Sequence, residues 1–185
     1  MSTTAPAPPT GYRLAVPAWW DRVDLTSPHR EDVVERIVAR QFRGIDDAPL
    51  ARREATRLLQ DQVRQAHDVG GLELHLSVRA VAGVVLPASL LVHVVPADAV
   101  PAGEDATAWT GGAGAGTRRR RERLVDGGTA GPVATTVLEH HVPVPAGLTP
   151  VPALLALTAT TTSGALADHL VGLFDAIAST LRWTS

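Results

Sequence analysis

The sequence predicts an α+β fold, a central antiparallel β-sheet flanked by helices with a C-terminal amphipathic helix packed on the sheet. Three observations predict it. Two segments of helical period precede a run of segments of strand period. Short Pro/Gly-rich gaps separate most of the strand segments, which is the spacing of hairpins and meanders. The chain then ends on a long stretch with one apolar stripe, which needs a sheet to lie on.

The elements follow in order. Residues 1–11 carry neither a basic residue nor an apolar h-region and read as a disordered Pro/Ala/Thr-rich tail, not a signal peptide. Residues 12–183 then form a single α+β domain. Tyr12–Val16 is extended and ends at Pro17. Ala18–Leu25 reads as a second strand, whose alternation aims one of Trp19 and Trp20 inward and the other outward. Ser27-Pro28 opens a helix over Arg30–Phe42, with Val33, Val34, Ile37 and Val38 on one face and Gly44 as its stop. Asp46 or Asp47 is the expected cap of a second helix, striped by Ala51, Ala55, Leu58, Leu59, Gln62, Ala66 and Val69 and ended by Gly70-Gly71.

Past Gly71 the period becomes two: Leu72, Leu74, Leu76 and Val78 alternate with Glu73, His75, Ser77 and Arg79. Ala88–Val95 is apolar on nearly every position, as a central strand would be. Pro96–Thr117, with its Gly111–Gly116 run, reads as a flexible Gly-rich loop at about 96–117. Val133–Val144 and Leu154–Thr162 are further strands. Ser163 then caps a helix over Ala165–Trp183, striped by Leu166, Leu170, Leu173, Phe174, Ile177 and Leu181.

Composition narrows the chemistry. Every one of the 17 basic residues is arginine, and against 19 acidic residues the net charge is −2. Lysine and cysteine are both absent. That removes a phosphate-loop or Schiff-base lysine, a cysteine nucleophile, a disulfide framework and thiolate metal sites. A chain without basic excess argues against nucleic acid as partner. No apolar run approaches the roughly 20 residues of a membrane span, so no membrane insertion and a cytoplasmic location are expected.

Candidate sites are few. Arg118, Arg119, Arg120, Arg121 and Arg123 form the sharpest charge cluster; they are either a module for an acidic partner or a solvated strand edge. His75, His93 and His141 fall on strand segments with Glu139 among them, so a His/Glu pair on a sheet face could serve a small hydrolase-like or ligand-binding enzyme. Neither HxH nor HExxH spacing occurs, and no catalytic residue, metal or cofactor is assigned. Trp19 and Trp20 are the aromatic candidates for partner contact.

Several segments carry a family resemblance: Pro17-Ala18-Trp19, Trp20–Leu25, Leu86–Leu90, His141–Pro145 and Leu173–Trp183, which together span nearly all of Tyr12–Trp183. In these the chain resembles the PsbP-like and LpqN-like α/β/α sandwich class. More narrowly, it looks like a family of actinobacterial proteins of unassigned activity often encoded beside type VII secretion components. The resemblance implies a non-enzymatic protein-binding or accessory role linked to type VII secretion, with a secretion component or substrate as protein partner.

Overall fold

The computed structural model describes residues 10–45, 47–77, 80–81, 84–100, 103, 105–126 and 131–185. The expected tail lies outside them, apart from Thr10 and Gly11. Val78, Arg79 and Asp46 also lie outside, so their expected roles are not placed.

The organising element is a seven-stranded sheet, antiparallel throughout. It contains β2 (Asp21–Asp24), β3 (Gly71–Ser77), β6 (Ala88–Pro96), β7 (Ala106–Gly111), β8 (Gly114–Asp126), β9 (Pro132–Pro143) and β10 (Ala153–Thr161), in the spatial order β2-β3-β6-β10-β9-β8-β7. A ribbon of β4 (Ala80–Val81) and β5 (Val84–Val85) projects from the β3–β6 connection. β1 (Gly11–Arg13) pairs with β11 (Arg182–Thr184) as a separate two-stranded sheet.

Helices cover both faces. On one, α3 (Ala167–Ser179) lays Leu170, Val171, Phe174, Ile177 and Ala178 over Leu90, Val92, Leu138, Val142, Leu155 and Leu157. Each of the Leu, Val, Ile and Phe side chains, fully buried, contributes about 1.5–3 kcal/mol. On the other face, α1 (Arg30–Gln41) and α2 (Pro49–Asp68) bury Val34, Ile37, Val38, Val63 and Ala66 against Val23, Leu74 and Leu76. β3 therefore serves two cores. Leu74 and Leu76 point to α1 and α2, while His75 and Ser77 turn to the face that α3 covers farther along the sheet, and all four are buried. The clean apolar-in, polar-out strand expected here is corrected: both faces are covered, because helices pack on both sides of the sheet.

Four further expectations are corrected. The 96–117 stretch is not a flexible loop. It holds the end of β6, a 3-10 turn at Ala97–Ala99, and a β7–β8 hairpin turning at Gly112-Ala113. The Trp109 ring lies over Gly111, so a Cβ there would push the ring aside, the Arg182 guanidinium occupies the space beside Gly112, and Gly114 has φ +117°, which glycine adopts without strain. The last helix ends at Ser179, because Arg182–Thr184 is drawn into pairing with β1. Asp47 does not cap α2, whose cap is Ala48, and Ser163 stands before a 3-10 turn at Gly164–Leu166 that leads into α3, where Leu166 is the cap; none of these caps makes a side-chain hydrogen bond. Trp19 and Trp20 sit in the turn before β2, not on a strand. Their rings meet at 5.8 Å, and Trp20 is buried edge-on against Phe174, so it is closed to a partner.

Candidate functional site

The arginine cluster lies on β8: Arg118 and Arg119 are flanked by β7 and β9, whereas Arg120, Arg121 and Arg123 lie beyond the end of β7, where among the described residues β8 pairs with β9 alone and forms a strand edge. Period two divides it between the faces. Arg118 and Arg120 share the α3 face. Arg118 clasps Asp175 of α3 with two hydrogen bonds, at 2.7 and 3.0 Å, and Arg120 reaches Asp168 at 2.7 Å. His140, the β9 neighbour of Arg118, donates to the same Asp175 at 2.9 Å, and the Trp109 ring stands edge-on to it at 4.9 Å. Sequence reasoning passed over His140 and Asp175. Their signal was an acidic residue on the apolar-striped helix, which must find a cation when that helix packs. Both serve to pin α3 to the sheet.

Arg119 and Arg121 emerge on the opposite face. The register there defines a grid. One row across β6, β10, β9 and β8 reads His93, Ala156, His141, Thr117; the next reads Leu91, Thr158, Glu139, Arg119; the third reads Ser89, Thr160, Val137, Arg121. The small Ala156 separates the two histidines, which stand two strands, or about 10 Å, apart at the backbone. Val95, Ala99 and Val100 wall the other side, and a hollow of about 220 Å³ results. A cavity of ~150 Å³ accepts benzene, so this one accepts a small organic molecule.

Its polar groups are unevenly satisfied. Arg119, only 4% exposed, lies 3.0 Å from Asp105, and Arg121 donates to the other oxygen of that carboxylate at 3.0 Å. Glu139 stands 4.0 Å from Arg121. His93 shares a hydrogen bond with the Thr158 hydroxyl at 3.2 Å, but its Nδ1 is buried without a partner. His141 makes no hydrogen bond among the described residues. Burial lowers the pKa of both rings. The neighbouring His141 lowers His93 further while Glu139 opposes it; for His141, Glu139 opposes the shift and Arg119 and Arg121 reinforce it. Both are therefore neutral at pH 7, each with one donor and one acceptor.

The remaining candidates fall elsewhere. His75 is on the opposite face from Glu139, so that expected pair does not form. Its partner is Glu73 at 2.9 Å, which Arg22 also binds at 2.7 Å. The hydrogen bond from His75 and the Arg22 charge outweigh desolvation and hold the Glu73 carboxyl at about 2. Arg123 is exposed, with no ion pair among the described residues. No group of three metal-ligating side chains converges among the described residues, and no helix there is long and apolar enough to cross a membrane. No family model, curated protein or solved structure matches the chain.

Proposed function

We propose that this is a non-enzymatic binding protein whose ligand seat is the hollow between His93 and His141. The hollow itself carries this reading: His93, His141, Glu139, Arg119 and Arg121 gather polar side chains of both signs around a space that admits a small organic molecule. A histidine acting as base for the Thr158 hydroxyl needs a group orienting its other nitrogen, and among the described residues the Nδ1 of His93 has no partner. The test is native mass spectrometry of the intact protein for a retained small molecule, comparing wild type with Ala99→Phe. A phenyl ring set into the hollow from its wall should abolish retention; equal retention by both proteins would reject the hollow as the seat.

An accessory role in type VII secretion, and membership of the PsbP-like/LpqN-like sandwich class, are the setting that the sequence resemblance proposes. Leu50, Leu58 and Val69, exposed along α2 and at its end, favour a protein partner, because large apolar side chains aligned on one helix are a common contact surface. Leu58→Glu should then lose co-purification with a tagged secretion component under native expression.

A further inference from the structure

β8 outlasts the strand beside it. β7 pairs with it from Gly114 to Arg119 and stops, while β9 follows it from Thr117 to Asp126 without a shift of register. From Arg120 to Asp126 the outer side of β8 therefore has no neighbour among the described residues. Alternate residues of such a stretch turn both N–H and C=O outward, unpaired. The described part of the segment leading into β7 leads away from this edge. The Gly103 carbonyl accepts from the Ala106 amide at 3.0 Å, and a Cβ on Gly103 would fall on the Arg119 guanidinium, on the hollow's face of the sheet.

Proteins blunt exposed edges with a proline or a bulge, and Arg120–Asp126 has neither. Leu124, 76% exposed, and Val125, 41% exposed, stand there on opposite faces instead. The charged residues differ in what they already hold. Arg120 has Asp168 and Glu122, Arg121 has Asp105, and Glu122 accepts from the Thr136 hydroxyl at 2.9 Å. Arg123 is exposed, has no ion pair among the described residues, and faces the uncharged Thr135 of β9. An unanswered cation thus sits next to two exposed apolar side chains on an open edge.

The geometry points to this edge as the seat of an added strand, an extended segment of a partner protein in which two apolar residues are followed at once by an acidic one. It runs antiparallel to β8 and in line with β7, as every pair in this sheet runs. Its apolar residues stand opposite Val125 and Leu124, and its carboxylate stands opposite Arg123. A second copy of this chain fits less well. Two-fold pairing of β8 with itself sets one residue against its own copy. Centred at any of Arg120 to Arg123 it opposes like charges, and centred at Leu124 it sets Glu122 against Asp126. This inference goes beyond the binding reading above and does not rest on the hollow.

The test is fluorescence anisotropy of a labelled peptide, TVIETVT, titrated with the intact chain. It should bind saturably, and TVIKTVT about fivefold more weakly. Backbone N-methylation separates strand addition from a loose charge contact. Methyl groups on one alternate set of peptide amides should weaken binding at least ~tenfold, while on the other set, whose amides face away from β8, they should change it by no more than about twofold. In Arg123→Glu the preference should reverse, with TVIKTVT binding about fivefold more tightly than TVIETVT. The two peptide comparisons are made on wild-type protein, so the outcome does not depend on the variant folding. No saturable binding, equal binding of the two N-methylated peptides, or no preference between glutamate and lysine would each overturn the proposal. A dimer of the chain alone that TVIETVT dissociates would give the edge to a second copy and overturn it as well.

Discussion

Single residues show where sequence reading succeeds and where it stops. Period-two alternation puts His140 and His141 on opposite faces, and it also divides Arg118 and Arg120 from Arg119 and Arg121. What each residue meets depends on strand order, which local sequence does not encode. His75 was expected near Glu139, yet it finds Glu73 two positions away on its own strand. The buried histidines have a consequence for stability. Burial holds His93, His140 and His141 below the ordinary value of 6.5. The unfolded chain therefore binds more protons than the folded one as pH falls below 6.5. Their contribution is complete above that value and is lost as pH drops through the folded-state values. Glu73, held at about 2 against an ordinary 4.5, adds a second loss between those limits. The urea midpoint should decline in two steps, beginning below pH 6.5 and again below 4.5, and His93→Gln with His141→Gln should flatten the upper one. A midpoint flat from pH 7 to 5 would contradict this account.

At the scale of elements, helices and central strands are legible because their signals are local: a 3.6 stripe, a 2.0 alternation, a proline or glycine at the boundary. The β7–β8 hairpin is not. Its glycine run carries the composition of a linker, but the glycines are there because Trp109, Arg182 and the β9 backbone approach them, and those neighbours are distant in sequence or hidden by the fold. The C-terminal strand is masked for a similar reason, since the apolar stripe of α3 runs on to Leu181 and Trp183 while β1 captures the last residues. Gly116 offers the sharpest check. A Cβ there would fall against the His141 carbonyl oxygen, inside any van der Waals separation. Gly116→Ala should cost about 1–3 kcal/mol in urea denaturation, the usual penalty for overpacking. A linker glycine would tolerate the change.

The whole molecule is a sheet with two unequal cores. Among the described residues the α3 core joins fifteen buried residues, whereas the α1–α2 core joins nine, and Val63 and Ala66 are the buried residues of α2. Local opening free energy follows buried apolar contact. Amide hydrogens of Leu50–Gln60 should therefore exchange at least ~100-fold faster than those of β9 and β10, as measured by hydrogen-exchange mass spectrometry. Equal protection would mean that the two cores unfold as one.

The β1–β11 ribbon brings Thr10 and Thr184 together, with the Thr10 amide donating to the Thr184 carbonyl at 2.6 Å. Topologically the domain is almost a closed ring. A few added residues would join its ends, and the chain could be reopened at the exposed Ala146–Gly147 turn with the sheet order unchanged. Anything fused before Thr10 and anything fused after Thr184 would leave the domain side by side, like two cables from one socket.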